Sequence, residues 1–236
     1  MNLNAVAAEI ENNPETAAGR TVYVYEGPVR LWHWINTLCI VVLASTGYLI
    51  ASPLPSVAGE ASASFLMGYI RFAHFAAAYV FAVAFLVRVY WALVGNHHAR
   101  QLFYLPLSDA NWWVGMLREI RWYLFIDKQP FKYVGHNPLG HLFMFLFVTV
   151  AAVLMICTGF ALYGEGAGLG SWQDRLFGWV IPVLGGSQAT HSWHHLGMWG
   201  IVTFVILHVY VAVREDIMSR QTMISTMISG HRTFRE

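Results

Sequence analysis

Four stretches of this chain are long and apolar enough to cross a bilayer, and they leave few folds open. They cover about 31–51, 67–94, 142–163 and 193–213. A hydrocarbon layer about 30 Å thick takes roughly 20 apolar residues in helical form. In lipid each backbone N–H and C=O must be paired within its own segment, so each stretch predicts a helix. The second is longer than a span needs and has room to tilt or protrude. Composition agrees. The chain is 57% hydrophobic and 11% charged, with a mean hydropathy of +0.49, where an average soluble domain is about 25% charged. The expectation is all-α: an integral-membrane bundle of four transmembrane helices, with amphipathic helices at the interface.

The connections carry the polar residues. Residues 1–19 are acidic, without the basic start and apolar core of a signal peptide. They are expected to form a disordered cytoplasmic tail, leaving 20–236 as a single membrane domain. Residues 95–139 read as a long loop containing one helix over 108–126, capped by Ser108 or Asp109. That helix mixes Trp112, Trp113, Met116, Leu117 and Ile120 with Arg118, Glu119 and Arg121, as an interfacial helix does. Residues 164–190 are Gly-rich. Within them GEGAGLG (164–170) reads as a flexible loop and SWQDRLFGWVIPVL as a short amphipathic piece. The chain beyond Arg214 is polar. Lys and Arg gather beside both termini and in the 95–139 loop, whereas the two opposite loops hold only Arg175. The positive-inside rule then puts both termini and the long loop in the cytoplasm.

None of the four stretches, as bounded above, contains Asp or Glu, yet histidines stand at membrane depth. His194 and His208 are 14 residues apart, about 21 Å along one helix face. In an alternating four-helix arrangement His33, near the start of the first helix, matches His208 in depth. His74, about nine residues into the second, matches His194. Buried polar groups in a membrane are costly and usually functional. Two levels with two imidazoles each suit two stacked haems held by axial histidines. No C-x-x-C-H motif occurs, so the haems would be of the non-covalent b type. Arg71 and Arg88 on the second helix are candidates for pairing with haem propionates. Gly47, Gly68, Gly159, Gly197 and Gly200 would let a flat macrocycle approach the backbone.

Other readings stand beside this one. An intramembrane histidine can simply bond a neighbouring helix. His195 adjoins His194, but the 14-residue spacing favours His194. His136 and His141 compete with His33, and Met198 reads as packing. His97, His98, His191 and His231 read as solvated loop residues. Cys39 and Cys157 read as buried apolar residues. A net charge of +1 gives no electrostatic case for nucleic acid. A histidine-lined metal-ion transporter is the rival from another class. It lacks carboxylates on the four helices, midway helix breaks and a visible inverted repeat.

Four motifs carry a family resemblance: YVYEGPVRLWHW (23–34), MGYIRFAHF (67–75), HSWHHLGMW (191–199) and HVYVAVREDIMSRQTMISTMISGHR (208–232). Over residues 23–236 the chain resembles the b-type cytochrome subunits of membrane-bound uptake [NiFe]-hydrogenases. It is also similar to the cytochrome subunits of respiratory formate dehydrogenases. The resemblance implies axial haem ligands at His33 and His208 on the cytoplasmic side, and at His74 and His194 on the outer side. It implies partners as well: a periplasm-facing hydrogenase large subunit, and an iron–sulfur small subunit with a C-terminal membrane helix. Electrons would pass to quinone, in the bacterial inner membrane. Arg214, Tyr210, His136 and Asn137, polar and at the cytoplasmic edge, are candidates for a quinone site. No nickel-binding cysteine motif is present, so hydrogen activation is not expected in this chain.

Overall fold

The computed structural model describes residues 19–55, 59–60, 64–128 and 131–234. The tail expected over 1–19 lies, apart from its last residue, outside the described residues. In chain order the elements begin with β1 (Thr21–Tyr23), α1 (Gly27–Ala51), α2 (Leu66–Val94), α3 (His97–Arg100) and α4 (Ala110–Tyr123). Next come α5 (Pro138–Met144), a π-helical segment (Phe145–Val150), α6 (Ala151–Ala167), α7 (Trp172–Phe177) and α8 (Val180–Val183). The chain ends with α9 (Ser187–Met218), α10 (Met223–Ser229) and β2 (His231–Thr233). Among the described residues, four helices are long and apolar enough to cross a membrane: Gly27–Ala51, Leu66–Val94, Pro138–Ala167 and Ser187–Met218. The fold is an all-α transmembrane bundle.

The third and fourth of these helices overrun the hydrophobic stretches at both ends. Hydropathy marks where apolar side chains stop, whereas caps and backbone bonds decide where a helix stops. Asn137 accepts a hydrogen bond from Gly140 N at 2.6 Å, and Pro138 occupies the first turn, so the third helix starts at 138. At its far end the expected flexible glycine loop is helical through Ala167. The longer bounds put Glu165, Glu215 and Asp216 on membrane-length helices. The expectation of carboxylate-free helices is corrected accordingly.

The connections hold more structure than their composition suggests. In α4, Asp109 is the cap, accepting from Asn111 N at 2.9 Å. The buried residues of α4 are Trp112, Gly115, Met116, Glu119 and Trp122, one face at helical spacing. Glu119, grouped by composition with the polar residues, is on that buried face and only 2% exposed. The amphipathic piece expected after the glycines is two short helices, α7 and α8. His97 and His98 open α3, and His191 and His231 lie on α9 and β2 rather than in loops. His97, His191 and His231 are exposed, but His98 is half-buried. Burial first, then His97 and Arg232, push its ring down to about 4.

The chain divides into two compact units, described one at a time. The first takes in the described residues up to Leu31, then Arg88–Val150, then those from Thr203 onward. Here the polar tail is structured. β2 pairs antiparallel with β1 in the register Thr21↔Thr233, Val22↔Arg232, Tyr23↔His231. The strands cover a small core of Val22, Val24, Tyr25, Val29, Ala99, Val134 and Phe234. Buried Arg232 donates to the carbonyls of Tyr133 (2.8 Å) and Gly135 (2.9 Å). Strands of three residues are too short to show a period of two. The second unit comprises Trp32–Val87 and Ala151–Val202. In it, Tyr79 meets Phe160 and Trp172 at ring distances of 5.2 and 6.3 Å and accepts a hydrogen bond from Gln173.

Candidate functional site

Two of the four histidines assigned from sequence are brought together in the second unit. His74 projects from α2 and His194 from α9, and the imidazoles are close enough to interact electrostatically. Each ring is held at Nδ1 by a threonine of another helix. Thr46 Oγ1 of α1 is 2.9 Å from His74 Nδ1, and Thr158 Oγ1 of α6 is 2.7 Å from His194 Nδ1. A glycine follows each threonine. A Cβ on Gly47 would sit 3.2 Å from His74 Cε1, and one on Gly159 would sit 3.2 Å from His194 Cε1. Both contacts are tighter than ordinary packing, so the glycines let the rings lie against the helix backbone. His195, the alternative ligand, leans on Trp199 at 6.2 Å, and its buried Nε2 makes no hydrogen bond among the described residues.

The other two histidines belong to different units. His33, in the second, is half-buried near the start of α1. Its ring meets Trp34 edge-on at 5.0 Å, and its carbonyl accepts from Thr37 at 2.8 Å. His208, in the first, is half-buried on α9 and stacks on Phe204 at 5.6 Å. The stack continues through Phe147 (5.3 Å from Phe204) to Phe143 (6.1 Å from Phe147). Phe147 lies in the π-helical segment, and such segments are frequent at functional sites.

The arginines differ. Arg71 is exposed, three residues before His74. Arg88 is 3% exposed; it donates to the Ala99 carbonyl at 2.7 Å and lies over the Phe103 ring. His141 is buried, and its Nε2 is 2.7 Å from the Tyr104 carbonyl, which fixes it as a donor. Met198 is buried and packs near Gly47. Of the polar residues proposed from their position at the cytoplasmic edge, Tyr210 is exposed, whereas Arg214 is buried. His136 is held neutral, pushed down to about 3 by burial and then by Arg232, His141, His208 and His98.

Beside these residues is a polar network that composition concealed. Asn137, which caps α5, also donates to Glu119 Oε2 at 2.9 Å. Arg214 pairs with Glu215 at 2.9 Å, and Trp122 Nε1 donates to the same carboxylate oxygen at 2.8 Å. Burial and the neighbouring Glu215 push Glu119 up to about 8, opposed by Arg214, so Glu119 is mainly protonated at neutral pH. Helical spacing was the available signal: Glu119 follows Trp112 by seven residues and Met116 by three.

A stability test follows from that carboxyl. Between pH 4.5 and 8 the unfolded chain gives up the Glu119 proton while the native chain keeps it. The native state then binds more protons, so stability falls as pH rises through that window. Glu119→Gln removes this loss. The variant is expected to match the parent near pH 4.5 and to exceed it by up to ~5 kcal/mol at about pH 8.5. Thermal unfolding of detergent-solubilised protein at both pH values is the check; a gap that does not grow with pH would refute the assignment.

Among the described residues no group of three or more His, Cys, Asp or Glu gathers to hold a metal ion. The His74 and His194 pair suits a different centre, an iron already ringed by a macrocycle and needing one imidazole from each side. With both rings bonded at Nδ1 and glycine behind each, the donor set fits a haem.

The family described as prokaryotic cytochrome b561 matches residues 24–230. A relative from Azotobacter chroococcum mcd 1, described as "Probable Ni/Fe-hydrogenase B-type cytochrome subunit", is 60% identical over 234 residues, covering 96% of this chain and 98% of the relative. One of the same description from Rhizobium leguminosarum bv. viciae is 56% identical over 236 residues, covering 100% and 99%. "Probable Ni/Fe-hydrogenase 1 B-type cytochrome subunit" from Escherichia coli (strain K12) is 51% identical over 217 residues, covering 90% and 91%.

Proposed function

The chain belongs to the prokaryotic cytochrome b561 family, and from that premise we propose that it is the membrane anchor of a [NiFe]-hydrogenase, carrying electrons from the enzyme's iron–sulfur small subunit to the quinone pool. Residues 20–236 act as one membrane domain in the bacterial inner membrane, with both termini cytoplasmic. The large and small hydrogenase subunits face the periplasm. His74 and His194 hold one haem b towards the outer side; His33 and His208 hold a second towards the cytoplasm. Arg71, and Arg88 beyond its bond to Ala99, offer positive charge to the propionates. Bound haem supplies one-electron redox chemistry. The chain supplies axial nitrogens, apolar helices that exclude water, and fixed ring orientations.

One observation carries this reading. Two histidines on separate membrane-length helices have their Nδ1 atoms tied to threonines of two further helices. One interhelical bond would satisfy a histidine present only for packing; two such rings near each other, each oriented by a bond at Nδ1, are the arrangement that suits a pair of axial ligands. The hydrogenase as donor rests on the printed names of the relatives. Arg214, Tyr210, His136 and Asn137 remain the residues proposed for quinone; Arg214, His136 and Asn137 belong to or adjoin the buried polar network.

The test is a reduced-minus-oxidised visible spectrum of the purified complex, with haem counted per chain and hydrogen as reductant. Two b-type haems per chain, both reduced by hydrogen, are expected. In His33→Ala or His208→Ala one hydrogen-reducible haem is expected to persist while quinone reduction stops. A haem-free chain, or haem that dithionite reduces and hydrogen does not, would overturn the proposal.

A further inference from the structure

The site is built twice from one local pattern. The sequence contains two Thr-Gly dipeptides, Thr46-Gly47 and Thr158-Gly159, each followed by an aromatic residue, Tyr48 or Phe160. One lies on α1 and meets a histidine of α2; the other lies on α6 and meets a histidine of α9. Each hydroxyl also donates back along its own helix, Thr46 to the Val42 carbonyl and Thr158 to the Leu154 carbonyl, both at 2.6 Å. This back-bond decides the proton arrangement. A hydroxyl has one hydrogen, and both are committed to carbonyls, so the oxygen offers only lone pairs to the imidazole. The partner nitrogen must then be an N–H donor, and each ring is the Nδ1–H tautomer with the Nε2 lone pair left for a metal.

We infer that Thr46 and Thr158 are positioning residues that fix the tautomer and donor strength of the His74 and His194 imidazoles, and so set the potential of the haem between them. The inference rests on the assignment of these histidines as axial ligands. An acceptor at Nδ1–H gives the imidazole some imidazolate character and makes it a better donor to the iron. A better donor favours the ferric state, so each threonine lowers the potential. The glycines complete the device, because a Cβ at either position would push the ring off the hydroxyl.

The experiment is redox potentiometry of the detergent-purified complex carrying Thr46→Val, Thr158→Val, both together, and the matching serine variants. Valine keeps the volume and removes the acceptor; serine keeps the acceptor. Each valine variant is expected to lower the preference for ferric iron by roughly tenfold, read as a rise of about 59 mV for a one-electron couple. The double variant should rise further, the second haem should stay at its parental potential, and serine should restore the parental value. Electron paramagnetic resonance of the ferric haem should shift with valine and not with serine. If valine costs haem retention instead, retention in the serine variant still supports the inference, because serine restores the hydroxyl. Parental potentials in both valine variants, or equal haem loss with valine and serine, would overturn it. His74→Ala and His194→Ala, run alongside, separate the two failures: unchanged haem there would reject the ligand assignment itself.

Discussion

A chain carrying His74→Ala or His194→Ala is expected to retain one haem b instead of two and to lose hydrogen-dependent quinone reduction by more than about a hundredfold. Even an outer-shell partner of a metal ligand costs roughly ten- to hundredfold when removed, and an axial nitrogen is the bond itself. Alanine also leaves Thr46 or Thr158 without its ring partner and opens space beside Gly47 or Gly159. Haem is counted as the pyridine haemochromogen per chain, beside a hydrogen-to-quinone assay on membranes. His195→Ala is the matched control and should keep both haems, because Thr158 engages His194 and not its neighbour. Two haems per chain in both His74→Ala and His194→Ala would remove the basis of the outer site. Loss of haem in His195→Ala alone would move the ligand by one residue.

How much of this was legible in the sequence depends on the range of the interaction. The four spans were legible because lipid imposes a length and a composition that hydropathy reads directly. Their ends were not, because Asn137 and Pro138 start a helix four residues before the apolar run begins. The choice of His194 over His195 came from spacing along one helix, a local property; the Thr158 bond to His194 was not visible to it. The threonines themselves were missed. Thr46 lies 28 residues from His74, and Thr158 lies 36 from His194. Only the repeated Thr-Gly could have flagged them. Glu119 was missed for a different reason. Charge was weighed above periodicity, although its spacing from Trp112 and Met116 already placed it on the buried face of α4. The β1–β2 pair joins residues more than 200 positions apart through strands of three residues, and no local pattern carries that information.

Replacing Arg214 should expose how the buried polar network is balanced. The guanidinium pairs with Glu215, donates to the Trp122 carbonyl at 3.3 Å, and lies about 5 Å from the rings of Trp122, Tyr123 and Phe125. Arg214 and Glu215 are 7% and 4% exposed, so water cannot stand in for either. Arg214→Met keeps the apolar stem of the side chain and removes the charge. It leaves Glu215 with the Trp122 N–H and no counter-charge. Breaking a buried pair in this way typically costs ~3–5 kcal/mol, with up to ~2 kcal/mol more from lost cation–π contact. The pair as a whole is expected to be worth far less, because two charges taken out of water repay their desolvation only partly. Arg214→Met/Glu215→Gln should therefore recover most of the loss, since the neutral amide oxygen that replaces the carboxylate can still accept from Trp122. Thermal unfolding of the parent, both single variants and the double variant gives the coupling directly. A double variant no more stable than Arg214→Met would mean that Arg214 acts through the aromatic rings it covers and not through Glu215.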